Sequence, residues 1–152
     1  MSTVICVDAI VLRKSNNSGE ILSQDEVLLL HRKNTGFMDD TFCLPGGKPL
    51  ENEQPKSALQ RELQEELGIT VELSAIEFAH MLYIVREPKN YLCLFFLINS
   101  WSGNIINKES EKHDYLVWSK LDTLPQTLMS GHKQALMALS SASKYSELTI
   151  ET

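Results

Sequence analysis

Glu62, Glu65 and Glu66 stand three and four residues apart in RELQEEL. A helix turns by about 100° per residue, so all three carboxylates fall within roughly 100° of one another. Like charges at these spacings are direct neighbours and cost a few tenths of a kcal/mol per pair. A hard divalent cation, Mg2+ or Mn2+, needs such a face: several carboxylate oxygens, with positions left open for water and phosphate oxygens. Two plainer readings stand beside it. One is a solvated acidic helix face; the other is ion pairing to Arg61, a single cation against three anions. The neighbourhood favours the metal. Pro45-Gly46-Gly47 lies upstream, where a glycine-rich turn offers a carbonyl and lets a ligand approach closely. Glu53 adds a carboxylate just before the helix.

The spacing has a recognisable form: Gly47, five residues, Glu53, seven residues, then Arg61-Glu62-Leu63-Gln64-Glu65-Glu66-Leu67-Gly68-Ile69. It resembles the Nudix box, G-x5-E-x7-R-E-U-x-E-E-x-G-U with U a bulky aliphatic, at every specified position. With average residue usage, agreement by chance at a given start is on the order of one in a billion. The resemblance implies hydrolysis of a nucleoside diphosphate linked to another moiety, with Mg2+ or Mn2+ as cofactor. It implies Glu62, Glu65, Glu66 and the carbonyl of Gly46 as metal ligands. Glu62, or an auxiliary carboxylate, then orients or deprotonates the attacking water. Arg61 holds the glutamates by a salt bridge, Glu53 steadies the loop or touches metal through water, and Leu63 and Ile69 are core. Trp101-Ser-Gly followed by Glu109 is similar to the MutT-type subgroup, in which a glutamate after a Trp-x-Gly strand end completes the metal site. Glu109 fits best, and Glu111 is its rival. Asp114–Trp118, followed by Leu121 and Leu124-Pro125, is similar to the family's final strand and its exit.

These residues need elements to hold them. Pro55 suits a first helical position; Ala58, Leu59, Leu63 and Leu67 form an apolar stripe; and Gly68 suits a left-handed stop, so a helix spans 55–67. Gln54 is a poor N-cap. Strands are expected at 4–14 and 26–32, as a hairpin, with a short extended piece at 41–44 that Pro45-Gly46-Gly47 breaks. Further strands are expected at 71–85, 91–101 and 114–118, and a C-terminal helix at 130–143. The fold class is α/β. The resemblance sharpens it to a Nudix-type α/β/α sandwich, a mixed sheet with the Nudix helix on one face and a C-terminal helix. The 152 residues suit a single domain spanning 1–152.

Net charge is −6, which argues against binding a nucleic-acid polymer or an anionic membrane. No apolar run is long enough to span a bilayer, and the apolar N-terminus reads as a strand rather than a signal peptide, which makes the cytoplasm the default location. Cys6, Cys43 and Cys93 show no metal or redox spacing and read as reduced core thiols. For substrate contacts, Arg32 and Lys33 end the second strand and suit phosphates, and Phe37 suits stacking on a base. His31, His80, His113 and His132 show no metal-ligand pairing in the sequence, and Tyr83, Tyr91 and Trp101 read as core or sheet surface. Within the resemblance, the foremost substrate is a nucleoside triphosphate, cleaved to NMP plus pyrophosphate. A nucleotide-sugar or ADP-ribose type pyrophosphatase, a non-catalytic ligand-binding module and a diphosphate isomerase are the rivals. Family members are often homodimers, so a homodimer is one expected assembly.

Overall fold

The first strand, β1 (Thr3–Arg13), carries partners along both edges. Residues 7–12 are buried without interruption, the signature of a strand covered on both faces. The computed structural model describes residues 2–151. After β1 come β2 (Glu26–Arg32), β3 (Phe42–Cys43), β4 (Gly46–Gly47) and α1 (Pro55–Leu67). Then follow β5 (Ile76–Arg86), β6 (Asn90–Ile98), β7 (His113–Lys120), α2 (Ser130–Ala138) and β8 (Tyr145–Ile150). The strand order is β3-β2-β1-β6-β5-β8, with β4 joined to β1 and β7 to β2. β1 runs parallel to β6 from Thr3↔Asn90 to Val11↔Ile98, while its other edge takes β4 at Val7 and Asp8 and β2 at Leu12 and Arg13. The sheet is mixed, because β1–β6 and β5–β8 are parallel and the remaining pairs antiparallel.

Each face of β1 feeds a separate core. Val7, Ala9 and Val11 join Ala58, Leu59, Leu63 and Leu67 of α1. Ile10 and Leu12 join Ala135 and Leu136 of α2. The result is the expected α/β/α sandwich. Burying the three leucines of α1 stabilises by roughly 1.5–3 kcal/mol apiece, several times the repulsion among its glutamates. Packing therefore holds the acids on a helix that their charges disfavour.

Helix α1 has the predicted limits. Gln54 is extended and makes no side-chain cap, Pro55 opens the first turn, and Gly68 closes the last at φ 71°. Four other expectations are corrected. Residues 71–75 are not strand: Thr70 bridges Ser102, and a 3-10 turn at Leu73–Ala75 delays β5 until Ile76. Gly46-Gly47 is not a plain break but a two-residue strand on β1. Helix α2 stops at Ala138, where a 3-10 turn leads to Ala142 at φ 56°. The edge strand β8 was not anticipated; its parallel pairing, Met81↔Tyr145 to Arg86↔Ile150, exists only in three dimensions. No helix among the described residues is long and apolar enough to cross a membrane.

Candidate active site

The acidic end of the site begins with Arg61. Its Nε and Nη2 each donate to one oxygen of Glu53 at 2.9 Å, a two-pronged fork. Its Nη1 donates to Glu62 Oε1 at 2.9 Å and to Glu65 Oε2 at 3.4 Å. Nη2 also donates to the Lys48 carbonyl at 3.2 Å. Thus Arg61 fastens the 48–53 loop to α1 and meets two of the three box glutamates. These hydrogen bonds, with one from the Leu50 N–H, bring Glu53 down to about 2.

Glu66 is different. It is 5% exposed, Oε2 has no hydrogen-bond partner, and Arg61 does not reach it. Burial, then the charges of Glu62 and Glu109, hold its carboxyl well above the usual range. Glu109 arrives from the loop before β7. The Lys108 N–H donates to the Glu66 carbonyl at 2.9 Å and the Ile106 N–H to the Leu67 carbonyl at 3.0 Å, using acceptors that a helix end leaves free. That docking brings Glu109 beside Glu66, and His113 joins them: ligand atoms of all three lie within 4.8 Å of one another. His113 is buried, and burial pushes its imidazole down to about 4. The sequence shows no metal-ligand pairing for His113; the fold places it beside Glu66 and Glu109. Its partners come from α1 and from the loop, not from another histidine. Glu111 is exposed and outside this group.

The glycine strand β4 separates the acids from a cavity. A side chain on Gly47 would meet Glu62 Oε1 at 2.3 Å, and one on Gly46 would meet Asp8 Oδ1 at 2.7 Å. Successive strand residues face opposite ways, so the two glycines admit Glu62 on one side and Asp8 on the other. The cavity beyond measures about 480 Å3 and is lined from β1, the 32–48 segment, β5, β6, α2 and β8. Of the predicted substrate contacts, Arg32 and Phe37 line it, whereas Lys33 is exposed and lies outside.

Phe37 is held by its loop. Asp39 accepts from the Thr35 and Gly36 N–H groups at 3.0 Å, while Arg32 donates to the Phe37 carbonyl at 2.9 Å and to Thr35 Oγ1 at 3.0 Å. Asn34, Met38 and Asp40 all adopt positive φ, which asparagine and aspartate tolerate best. The Phe37 ring lies 5.8 Å from the Arg32 guanidinium and 4.9 Å from that of Arg86. Asp8, Lys48, Arg86, Tyr91 and His132 also line the cavity, and the sequence pointed to none of them as cavity residues. The Leu44 N–H donates to His132 Nδ1 at 2.9 Å, so the ring hydrogen sits on Nε2, which faces Asp8 Oδ1 at 3.7 Å. Burial drives both groups towards neutrality: His132 is pushed down to about 4, and Asp8 is held well above the usual carboxylate range.

A helix of clustered glutamates across a glycine strand from a cavity, in an α/β/α sandwich, defines a class that known proteins share. A family model for the NUDIX domain matches residues 7–139. The 8-oxo-dGTP diphosphatase of Buchnera aphidicola subsp. Schizaphis graminum is 33% identical over 106 residues, 70% of this chain and 76% of that one. The 8-oxo-dGTP diphosphatase of Escherichia coli (strain K12) is 30% identical over 107 residues, 70% of this chain and 74% of that one. Among solved structures, a MutT NUDIX hydrolase from Burkholderia pseudomallei superposes with a TM-score of 0.77 at 26% identity, covering 90% of this chain and 98% of that one. The chain belongs to the Nudix family. Within that family it is a MutT-like hydrolase.

Proposed function

We propose that this enzyme cleaves the phosphoanhydride of a nucleoside triphosphate to give NMP and pyrophosphate, with a divalent cation, Mg2+ or Mn2+, as cofactor. The observation that carries this reading is the adjacency across β4: a cavity of about 480 Å3 on one side and the glutamate face on the other. That volume lies within the usual range for small-molecule sites. A triphosphate running from the cavity past Gly46-Gly47 brings its phosphates to the carboxylates. The donor set fits a hard cation, because Glu66 offers a buried oxygen with no other partner and Glu109 stands beside it. Glu62, Glu65, Glu66, Glu109 and the Gly46 carbonyl are the residues that would hold it. Bound there, the cation neutralises phosphate charge and lowers the pKa of its water.

The chain's own groups have distinct parts in this reading. Glu62 orients the attacking water and accepts its proton. Arg61 fixes Glu62 and Glu65 and ties them to Glu53, whose loop carries Lys48 towards the cavity. Phe37 stacks on the base, and Arg32 and Arg86 frame that ring with positive charge that also suits phosphate oxygens. Lys33, at the outer end of β2, steers the anionic substrate from the surface. The relatives named 8-oxo-dGTP diphosphatase make an oxidised purine triphosphate the first compound to try.

The test is a panel of nucleoside triphosphates, 8-oxo-dGTP, nucleotide sugars and ADP-ribose with Mg2+ or Mn2+. Products are identified by mass spectrometry in 18O water. Release of NMP and pyrophosphate supports the reading. Turnover confined to nucleotide sugars or ADP-ribose would move the substrate class, and a folded protein inert to the whole panel would refute the reading.

A further inference from the structure

Building on the reading of this site as a metal centre, we infer that His113 supplies a nitrogen ligand to the cation, so that the site selects Mn2+ over Mg2+. Three observations carry this. The first is placement. Glu109 and His113 share one turn, in which the Lys112 and His113 N–H groups donate to the Glu109 carbonyl at 2.9 and 3.0 Å. The loop is fastened to the end of α1 by the Lys108 N–H. A ring nitrogen of His113 thereby lies within 4.8 Å of carboxylate oxygens from both Glu66 and Glu109.

The second is the absence of any other occupation for these groups. His31 Nδ1 pairs with Asp114 at 2.7 Å, His80 engages Ser143 and Ser146 through its two ring nitrogens, and His132 Nδ1 accepts from Leu44. Among the described residues, only the His113 ring makes no such hydrogen bond. Among the described residues, Glu66 Oε2 is buried and without a partner. Buried polar atoms are almost always satisfied, so the unpartnered Glu66 oxygen, with a His113 ring nitrogen and Glu109 close by, is a group that a shared ligand would satisfy.

The third is chemistry. Carboxylate oxygens suit Mg2+ and Mn2+ alike, whereas imidazole nitrogen favours first-row transition metals and follows the order in which Mn2+ is the weakest binder and Co2+ binds more tightly. An all-oxygen site discriminates little; one nitrogen shifts the balance towards Mn2+, and further towards Co2+.

Electron spin-echo envelope modulation of the full chain loaded with Mn2+ alone tests this. The expected result is 14N modulation from a directly bound imidazole, replaced by 15N coupling when the histidines are 15N-labelled. His113→Gln should abolish the signal and lower the Mn2+ to Mg2+ affinity ratio, measured by competition, by about tenfold or more. A wild-type Mn2+ complex without imidazole modulation overturns the inference, even where the same complex hydrolyses nucleotides and the metal-centre reading stands. So does a folded His113→Gln variant with unchanged modulation and ratio. Failure to bind Mn2+ at all overturns the metal-centre reading and this inference together. Should His113→Gln fail to fold, the labelled wild-type spectrum decides by itself.

Discussion

The two sides of β4 are built in opposite ways. On the acidic side, Arg61, Glu62, Glu65 and Glu66 come from six consecutive residues of one helix, and a single arginine connects most of them. On the cavity side, the lining runs from Cys6 to Ile150 and draws on both sequence ends. The acidic side is charged and anchored by ion pairs. The cavity side holds its titratable pair, Asp8 and His132, where burial disfavours the charged form of each. Local geometry thus sets the glutamate face, and long-range packing sets the cavity.

The sharpest way to break the acidic side is Glu66→Gln. With metal present, turnover should fall at least about 100-fold, since a carboxylate ligand is lost. The metal-free protein should melt no lower. The folded-state pKa of Glu66 is raised, so its ionisation opposes folding as pH climbs through that value, and an uncharged amide removes the opposition. Thermal melts with and without Mn2+ check both halves; a lower metal-free Tm at neutral pH would contradict the account.

Next is Arg61→Lys. The charge survives but the fork to Glu53 and the reach to Glu62 and Glu65 do not. A 10- to 100-fold fall in kcat/KM is expected, the usual scale for groups that orient metal ligands. The Glu53 carboxyl should titrate closer to an ordinary glutamate in 13C NMR, because Arg61 is the largest cause of its depression.

On the cavity side, Phe37→Ala should raise KM for a purine nucleotide about tenfold, the scale of one base–aromatic stack, and leave kcat nearly unchanged. A fall in kcat with constant KM would mean that the two sides are not separable.

The smallest effect concerns pH. His132 and His113 are both held near 4 against an ordinary value of 6.5. Their stabilising neutrality is fully present above 6.5, and is lost as pH falls from there towards 4 while the unfolded chain takes up protons first. Glu66 and Asp8, whose carboxyls are held high, work the other way over the same window, so the histidine contribution is read by difference: metal-free Tm of His132→Gln should lose less than that of the wild type between pH 6.5 and 4. Melts at half-unit pH steps provide the measurement.

How much was legible follows the same division. Helix α1 was readable residue by residue, because its stripe, Pro55 and Gly68 are local signals. The orientation of Glu109 was anticipated only through resemblance, and the structure shows what brings it in: backbone N–H groups capping the end of α1. The placement of His113 was not legible, because Glu109 and Glu66 stand 4 and 47 residues away along the chain. Arg86 fell just beyond the strand expected at 71–85; it reaches the cavity because β5 continues to its position and the fold carries it to Phe37. Strand β8 went unread because half-buried and exposed residues alternate along it with little apolar weight, and its pairing partner β5 lies about 60 residues earlier.

The sequence by itself determined the acidic face. Helical periodicity and covalent spacing suffice to place Glu62, Glu65 and Glu66 together, with Arg61 beside them. Only the tertiary structure decided what else reaches that face and what lines the cavity. Loop docking brought Glu109 and His113 to Glu66, and β1, β5, β6, α2 and β8 closed around Asp8 and His132. Such contacts depend on packing and on the register of distant strands, and neither is written in any short stretch of chain.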